Sequence, residues 1–253
     1  MDKVGVIFGG RSVEHEVSII TAYQAIEALD KSKFTPMPIY IRRDGRWFYV
    51  KSLSLSDFKK QYPKLQKKRE FWRKDLFAKE LAQLDVVLPL IHGTYGEDGT
   101  LQGLLEMADI PYVGSGVMSS GLGMDKVIMK AVFRGLGLPV VDYCWVRKAE
   151  WKEEGEAVIE RIEQKIPYPL FVKPANLGSS IGINRAETRE DLIFALDVAS
   201  AYDLKMIVER AVSPAIEINC AVLGEKKPIA SVCEQPISWK NFLDYEDKYQ
   251  SGG

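Results

Sequence analysis

VGVIFGGRSVEHEVSIITAYQAIEAL (Val4–Leu29) decides the architecture of the first half of the chain. Val4–Phe8 is a short apolar run of strand length, and it ends in Gly9-Gly10, a signal for a tight turn. From Val17 to Leu29, the apolar residues Val17, Ile20, Tyr23 and Ile26 recur at three-residue spacing, which predicts a helix with one apolar face. The pattern then repeats. Met37–Ile41 reads as a second strand, and Asp44-Gly45 as a hairpin turn that lets Trp47–Val50 pair back. Leu84–Ile91 reads as a third long strand ending at His92-Gly93, Thr100–Ala108 as a helix, and Pro111–Val113 as a short extended piece. Strands alternating with helices predict an α/β fold with a parallel sheet and helical crossovers. Ligands of such sheets bind beyond the carboxyl ends of the strands. The turns at Gly9-Gly10 and His92-Gly93 are therefore expected on one rim.

The second half is organised differently. GSGVMSSGLG (Gly114–Gly123) is rich in small residues and reads as a hinge. After it come a helix over Met124–Leu136, a strand over Val140–Val146, a charged helix over Trp151–Lys165 and a strand over Leu170–Lys173. Pro174–Ser180 reads as a loop in which Pro174 ends the ladder, and Ile181–Asn184 as a strand. Thr188 and Asp191 form a capping box for a helix over Arg189–Ala201. Lys205–Glu209 is a strand, and Ile216–Leu223 with Ile229–Glu234 is an antiparallel pair joined across residues 224–227. This part is α+β.

Bulk properties narrow the function. The 253 residues carry a formal net charge of −1, 46% hydrophobic and 27% charged residues, which gives no electrostatic case for nucleic acid or an anionic membrane. No apolar run reaches the roughly 20 residues of a membrane helix, and Met1–Gly10 lacks the features of a signal peptide. Cys144, Cys220 and Cys233 are odd in number and without metal spacing, as expected of reduced thiols in a cytoplasmic protein. Ser52–Lys79 interleaves basic residues with Phe58, Tyr62, Phe71 and Trp72. That pattern can mark an RNA or DNA surface, but a solvated helical insertion anchored by its aromatics is the simpler reading.

Four stretches can carry chemistry. FVKPANLGSSIG (Phe171–Gly182) ends a strand in Lys173 and then offers Gly178, Ser179 and Ser180. Backbone N–H groups, hydroxyls and one lysine can hold nucleotide phosphates, although the Walker pattern is absent and a glycine-tipped surface hairpin would look similar. Val208–Arg210 followed by Glu217 puts carboxylates at strand ends, which can take nucleoside hydroxyls or merely be solvated. In GGRSVEHEVS (Gly9–Ser18), Glu14 can hold an ammonium group or complement a helix dipole. HGTYGEDGTLQG (His92–Gly103) places a histidine at a strand end before a glycine-rich loop, with no zinc spacing.

Together with MDK (Met124–Lys126) and DYEDKY (Asp244–Tyr249), these stretches stand in the order that resembles the D-alanine–D-alanine ligases of the ATP-grasp class. The resemblance covers the whole chain. It implies a Rossmann-like N-terminal α/β substrate-binding domain over residues 1–122, a central ATP-grasp subdomain over 123–209, and the start of the C-terminal ATP-grasp subdomain over 210–253. It implies ATP and Mg2+ as cofactors, with Lys126 and Lys173 on the phosphates, Gly178, Ser179 and Ser180 in the phosphate loop, Glu209 and Arg210 at the adenine, and Glu217 at the ribose. Glu14 would take the ammonium of the first D-alanine, near His92. Ser179 and Tyr249 would link the phosphate loop and a lid to Glu14, with Lys248 near the reacting phosphate. The magnesium ligands and an arginine are expected beyond Gly253. The implied activity joins two D-alanines through an acyl phosphate, for peptidoglycan precursor synthesis in the cytoplasm. D-alanine and ATP are the implied partners, with no nucleic acid, no membrane, and a homodimer left open. The alternatives are a D-alanine–D-lactate or D-serine ligase, in which the tyrosine motif is replaced, and a non-catalytic ATP- or amino-acid-binding module.

Overall fold

The computed structural model describes residues 1–67, 81–224 and 226–236. Asp2–Gly9 (β1) is the middle of the first sheet. It pairs in parallel with Phe34–Ile41 (β2) on one side and with Val86–Pro89 (β4) on the other. Trp47–Tyr49 (β3) returns antiparallel to β2, as the Asp44-Gly45 turn predicts, and the strand order is β3-β2-β1-β4. A strand packed on both faces must be apolar throughout. Val4, Val6 and Phe8 face a core with Ile19, Tyr23, Ile26 and Phe58, while Ile7 faces a second core with Ile39, Val87, Leu101 and Leu105. The helices that supply those residues are α1 (His15–Ala28), α2 (Leu55–Lys67) and α3 (Thr100–Met107). Tyr112 bridges in parallel to Val87, so Pro111–Val113 is extended as expected.

The chain divides into two compact units, Met1–Leu138 with Ala175–Gly178, and Pro139–Pro174 with Ser179–Gly253. The stretch expected to be a hinge is largely helical: α4 covers Val117–Met124 and contains position 122. A β-carbon on Gly99 would lie 2.6 Å from Val117 O, and one on Gly121 would lie 3.4 Å from Asp98 O. The single helix expected over Met124–Leu136 begins anew at Lys126 as α5 (Lys126–Gly135). Asp125 caps it, its side chain accepting from the N–H groups of Val127 and Ile128. The first described part of Ser52–Lys79 is the helix α2, with Phe58 buried; residues 68–80 lie outside the described residues.

The second unit holds an antiparallel sheet in the order Tyr143–Arg147 (β5), Lys205–Arg210 (β8), Leu170–Pro174 (β6), Asn184–Ala186 (β7). Strand alternation sends Val146, Leu170, Val172, Met206 and Val208 into a core with Ile159, Ile162, Leu192 and Leu196. Those last residues come from α7 (Gly155–Lys165) and α8 (Arg189–Tyr202). The helix expected over Trp151–Lys165 is two helices, because the chain breaks at Glu154 (φ −130°) between α6 (Lys148–Glu153) and α7. The ladder ends at Pro174 as expected: it is the last residue of β6 and still pairs in register with Met206. At a strand end the missing N–H costs little. The strand expected over Ile181–Asn184 starts only at Asn184, because Ser179, Ser180 and Gly182 have φ of +53°, +58° and +71°, a left-handed backbone that no strand accommodates. The hairpin is present as Val222–Leu223 (β9) and Ile229–Ala230 (β10), with a bridge from Asn219 to Glu234.

Candidate functional site

In the first unit the two turns share a rim, as parallel pairing of β1 with β4 requires. Ser18 fastens them: Gly9 N–H donates to its Oγ at 2.8 Å, and that hydroxyl donates to Leu90 O at 2.5 Å. Gly9 and Gly10 have φ of +87° and +91°, so glycine is required there. The chain then runs through Arg11, which lies over the Tyr95 ring at 4.8 Å, to Glu14 at the start of α1. Glu14 makes no side-chain cap bond to its helix and is 4% exposed. Its carboxylate instead faces two glycines. A β-carbon on Gly93 would collide with it, and one on Gly178 would lie 3.3 Å from Oε2. Thus a carboxylate buried at a helix start lies against the backbone of the histidine loop and of the expected phosphate loop.

His92 is half-buried and its Nε2 lies 3.0 Å from Thr21 Oγ1. Thr21 spends its own proton on Val17 O at 3.1 Å, so His92 is the donor and carries its proton on Nε2. Glu97 holds the loop by accepting from Gly93 N–H at 2.9 Å, and lies 3.9 Å from His92 Nδ1. A cleft of roughly 460 Å3 opens beside His92, lined also by Ile91, Glu97, Gln102, Ser120 and Met124. Lys126 reaches the other loop: its backbone N–H donates to Ala175 O at 3.0 Å and its Nζ to Leu177 O at 2.6 Å. Glu14, expected at the D-alanine ammonium, and Gly178 and Lys126, expected at the ATP phosphates, all lie in this unit.

The second unit carries the other expected group. Lys173 and Glu209 point to the sheet face opposite α7 and α8, and form an ion pair of 2.6 Å between Nζ and Oε2. Register sets Tyr143 and Phe171 on either side of Glu209. Arg210 ends β8 exposed, and Glu217 is exposed further on. Ser179 and Ser180 form the left-handed kink that follows the loop, a turn that reorients successive N–H groups. Lys248 and Tyr249 lie outside the described residues. Sequence reasoning missed Ser18, Thr21 and Tyr143 because their roles depend on neighbours far along the chain. The alternation of β6 and β8 could have placed Lys173 and Glu209 on one face.

Residues 3–115 match the family model described as D-ala D-ala ligase N-terminus, and residues 132–253 the one described as D-ala D-ala ligase C-terminus. The D-alanine–D-alanine ligase of Chloroherpeton thalassium is 42% identical over 99% of this chain and 72% of its own length. The chain belongs to the D-alanine–D-alanine ligase family. It is a ligase with the ATP-grasp fold. The D-alanine–D-alanine ligase structure from Coxiella burnetii matches with a TM-score of 0.77 and 32% identity, over 94% of this chain and 71% of that one. VanG D-Ala:D-Ser ligase from Enterococcus faecalis matches with a TM-score of 0.80 and 31% identity, over 98% and 74%. Ligases of both kinds thus share this fold, and fold alone does not select the second substrate. Magnesium is implied by the family resemblance. Among the described residues no cluster of three or more His, Cys, Asp or Glu is placed to hold a metal ion. No described helix is long and apolar enough to cross a membrane.

Proposed function

We propose that this ligase joins two D-alanine molecules at the expense of ATP, in the cytoplasm, through an acyl phosphate. A carboxylate is a poor electrophile, and phosphorylation makes it a good one. The amine of the second D-alanine then attacks, and the tetrahedral intermediate expels phosphate. The observation that carries this reading is the burial of Glu14 between Gly93 and Gly178. Its place at a helix start, against two loops, suits the carboxylate to receive the ammonium of an amino acid. Lys126, Lys173 and the N–H groups around Gly178, Ser179 and Ser180 hold the phosphates. Glu209 and Arg210 serve the adenine and Glu217 the ribose. The gain comes mainly from positioning and from fixed positive charge at the transferring group. Water must be kept out because an acyl phosphate hydrolyses, and the segment with Lys248 and Tyr249 is the assigned lid.

The test is phosphate release and dipeptide formation by the purified protein with ATP and D-alanine. Replacing D-alanine by D-serine or D-lactate as second substrate separates the related ligases. Glu14→Gln removes the charge that receives the ammonium. It is expected to raise the KM for D-alanine about ten- to a hundredfold, the worth of a charge-assisted hydrogen bond, with ATP affinity unchanged. Wild-type D-alanine kinetics in that variant would remove Glu14 from the substrate site.

A further inference from the structure

His15, next to Glu14, is fully buried and lies in an oriented chain of hydrogen bonds. Its Nδ1 is 2.6 Å from Gly10 O. A carbonyl can only accept, so Nδ1 carries a proton. Burial lowers the pKa of the imidazole, Arg43 adds to that, and the bonds to Gly10 and the charge of Glu16 oppose it. A neutral ring with its proton on Nδ1 leaves Nε2 as an acceptor. Tyr40 Oη lies 3.1 Å from it and must therefore donate. The Tyr40 oxygen in turn accepts from Gln66 Nε2 at 2.8 Å. Each donor is thus used in one direction, from Gln66 through Tyr40 and His15 to Gly10.

Both ends of this chain are fixed. Gln66 belongs to α2, and its backbone carbonyl accepts from Arg42 Nη1 at 2.8 Å. Arg42 is itself buried and paired with Asp44. Tyr62, also on α2, donates to Glu16 at 3.2 Å on the first turn of α1. At the other end the Gly10 N–H donates to Ile41 O at 2.7 Å, so the Gly10 residue is held through both its N–H and its carbonyl. Glu14 follows closely in sequence, with its N–H on Ser12 Oγ at 3.1 Å.

We propose that His15 is a positioning residue: the relay Gln66–Tyr40–His15–Gly10 uses helix α2 to hold the Gly9-Gly10 turn, and thereby sets where Glu14 meets the substrate. This rests on Glu14 being the carboxylate that takes the amino acid. The helix α2 is then a brace for the site, which gives the first part of the basic, aromatic segment a role in substrate affinity.

The chain has two histidines, so their tautomers can be read separately by 15N–1H correlation through the ring at neutral pH. His15 should be the Nδ1–H tautomer and His92 the Nε2–H tautomer. Tyr40→Phe should shift His15 away from a pure Nδ1–H form or broaden it, and leave His92 unchanged. In kinetics, Tyr40→Phe and Gln66→Met should each raise the KM for D-alanine about two- to tenfold, the net worth of one neutral hydrogen bond, with ATP affinity unchanged. Because the two act in one chain, the double variant should be little worse than Tyr40→Phe alone. An Nε2–H or doubly protonated His15 in the native protein overturns the relay. So do wild-type D-alanine kinetics in both single variants, or parallel losses of ATP and D-alanine affinity that follow stability. If Glu14→Gln instead has wild-type D-alanine kinetics, the substrate reading fails while the tautomer result still decides the relay.

Discussion

Lys173 Nζ lies 2.6 Å from Glu209 Oε2, and the two side chains are 25% and 6% exposed. The pair fixes what a substitution at either position will do. Lys173→Ala removes a cation assigned to the phosphates, and it also strips a nearly buried carboxylate of its partner. Removing one member of a buried pair costs more than the pair contributes. Two effects are therefore expected. ATP affinity should fall about ten- to a hundredfold, the worth of a charge-assisted contact. The unfolding midpoint without nucleotide should fall as well. Calorimetric titration with ATP and denaturant unfolding read the two separately. A drop in stability with unchanged ATP affinity would make Lys173 a counter-ion of Glu209 and nothing more. That a lysine near the end of β6 enters a Gly-Ser-Ser loop was readable in the sequence. The pairing was not readable, because it depends on the register of β6 against β8.

Elements whose signals lie within a few residues were legible. The Thr188–Asp191 capping box is present as read: Asp191 N–H donates to Thr188 Oγ1, and the Asp191 carboxylate accepts from Thr188 N–H. The Asp44-Gly45 turn and the apolar β1 held for the same reason. Elements set by distant packing were not legible. The small residues of Gly114–Gly123 read as a hinge, although Val117–Met124 is a helix. Ile181 and Gly182 look extended, although left-handed backbone at Ser179, Ser180 and Gly182 delays the strand to Asn184. The cap allows a quantitative test. Thr188→Ala should destabilise by about 1 kcal/mol, the usual cost of losing an N-cap side chain. Asp191 is held below its ordinary value by the N–H of Glu187, the Thr188 hydroxyl and the N–H of Thr188. A depressed folded value means that this contribution is present above the unfolded pKa of 3.8 and is lost as pH falls through the lower folded one. Asp191→Asn should thus flatten the loss of stability below pH 3.8. Equal acid slopes for that variant and the wild type would show that the box does not titrate with folding.

At the scale of the whole molecule, the cores have separate memberships. The buried apolar clusters of the first unit draw on residues between Val4 and Ile110, and that of the second on residues between Cys144 and Val208. The alternation of strand and helix made the first unit readable as parallel α/β; the change of pattern was read at Gly114–Gly123, whereas the compact units divide after Leu138. Two cores imply that damage to one is felt first in its own unit. Ile162 is fully buried on α7 among Leu170, Val172 and Leu196. Ile162→Ala removes its methyl groups and leaves a cavity that close-packed neighbours fill only partly, at a cost of about 2–5 kcal/mol. Amide hydrogen exchange should then accelerate in β5, β6, β8, α7 and α8. The amides of β1, β2 and β4 should keep their wild-type protection. Ile26→Ala, in the core beneath α1, should give the reverse pattern. Matching losses across both units in either variant would mean that the chain unfolds as one cooperative body.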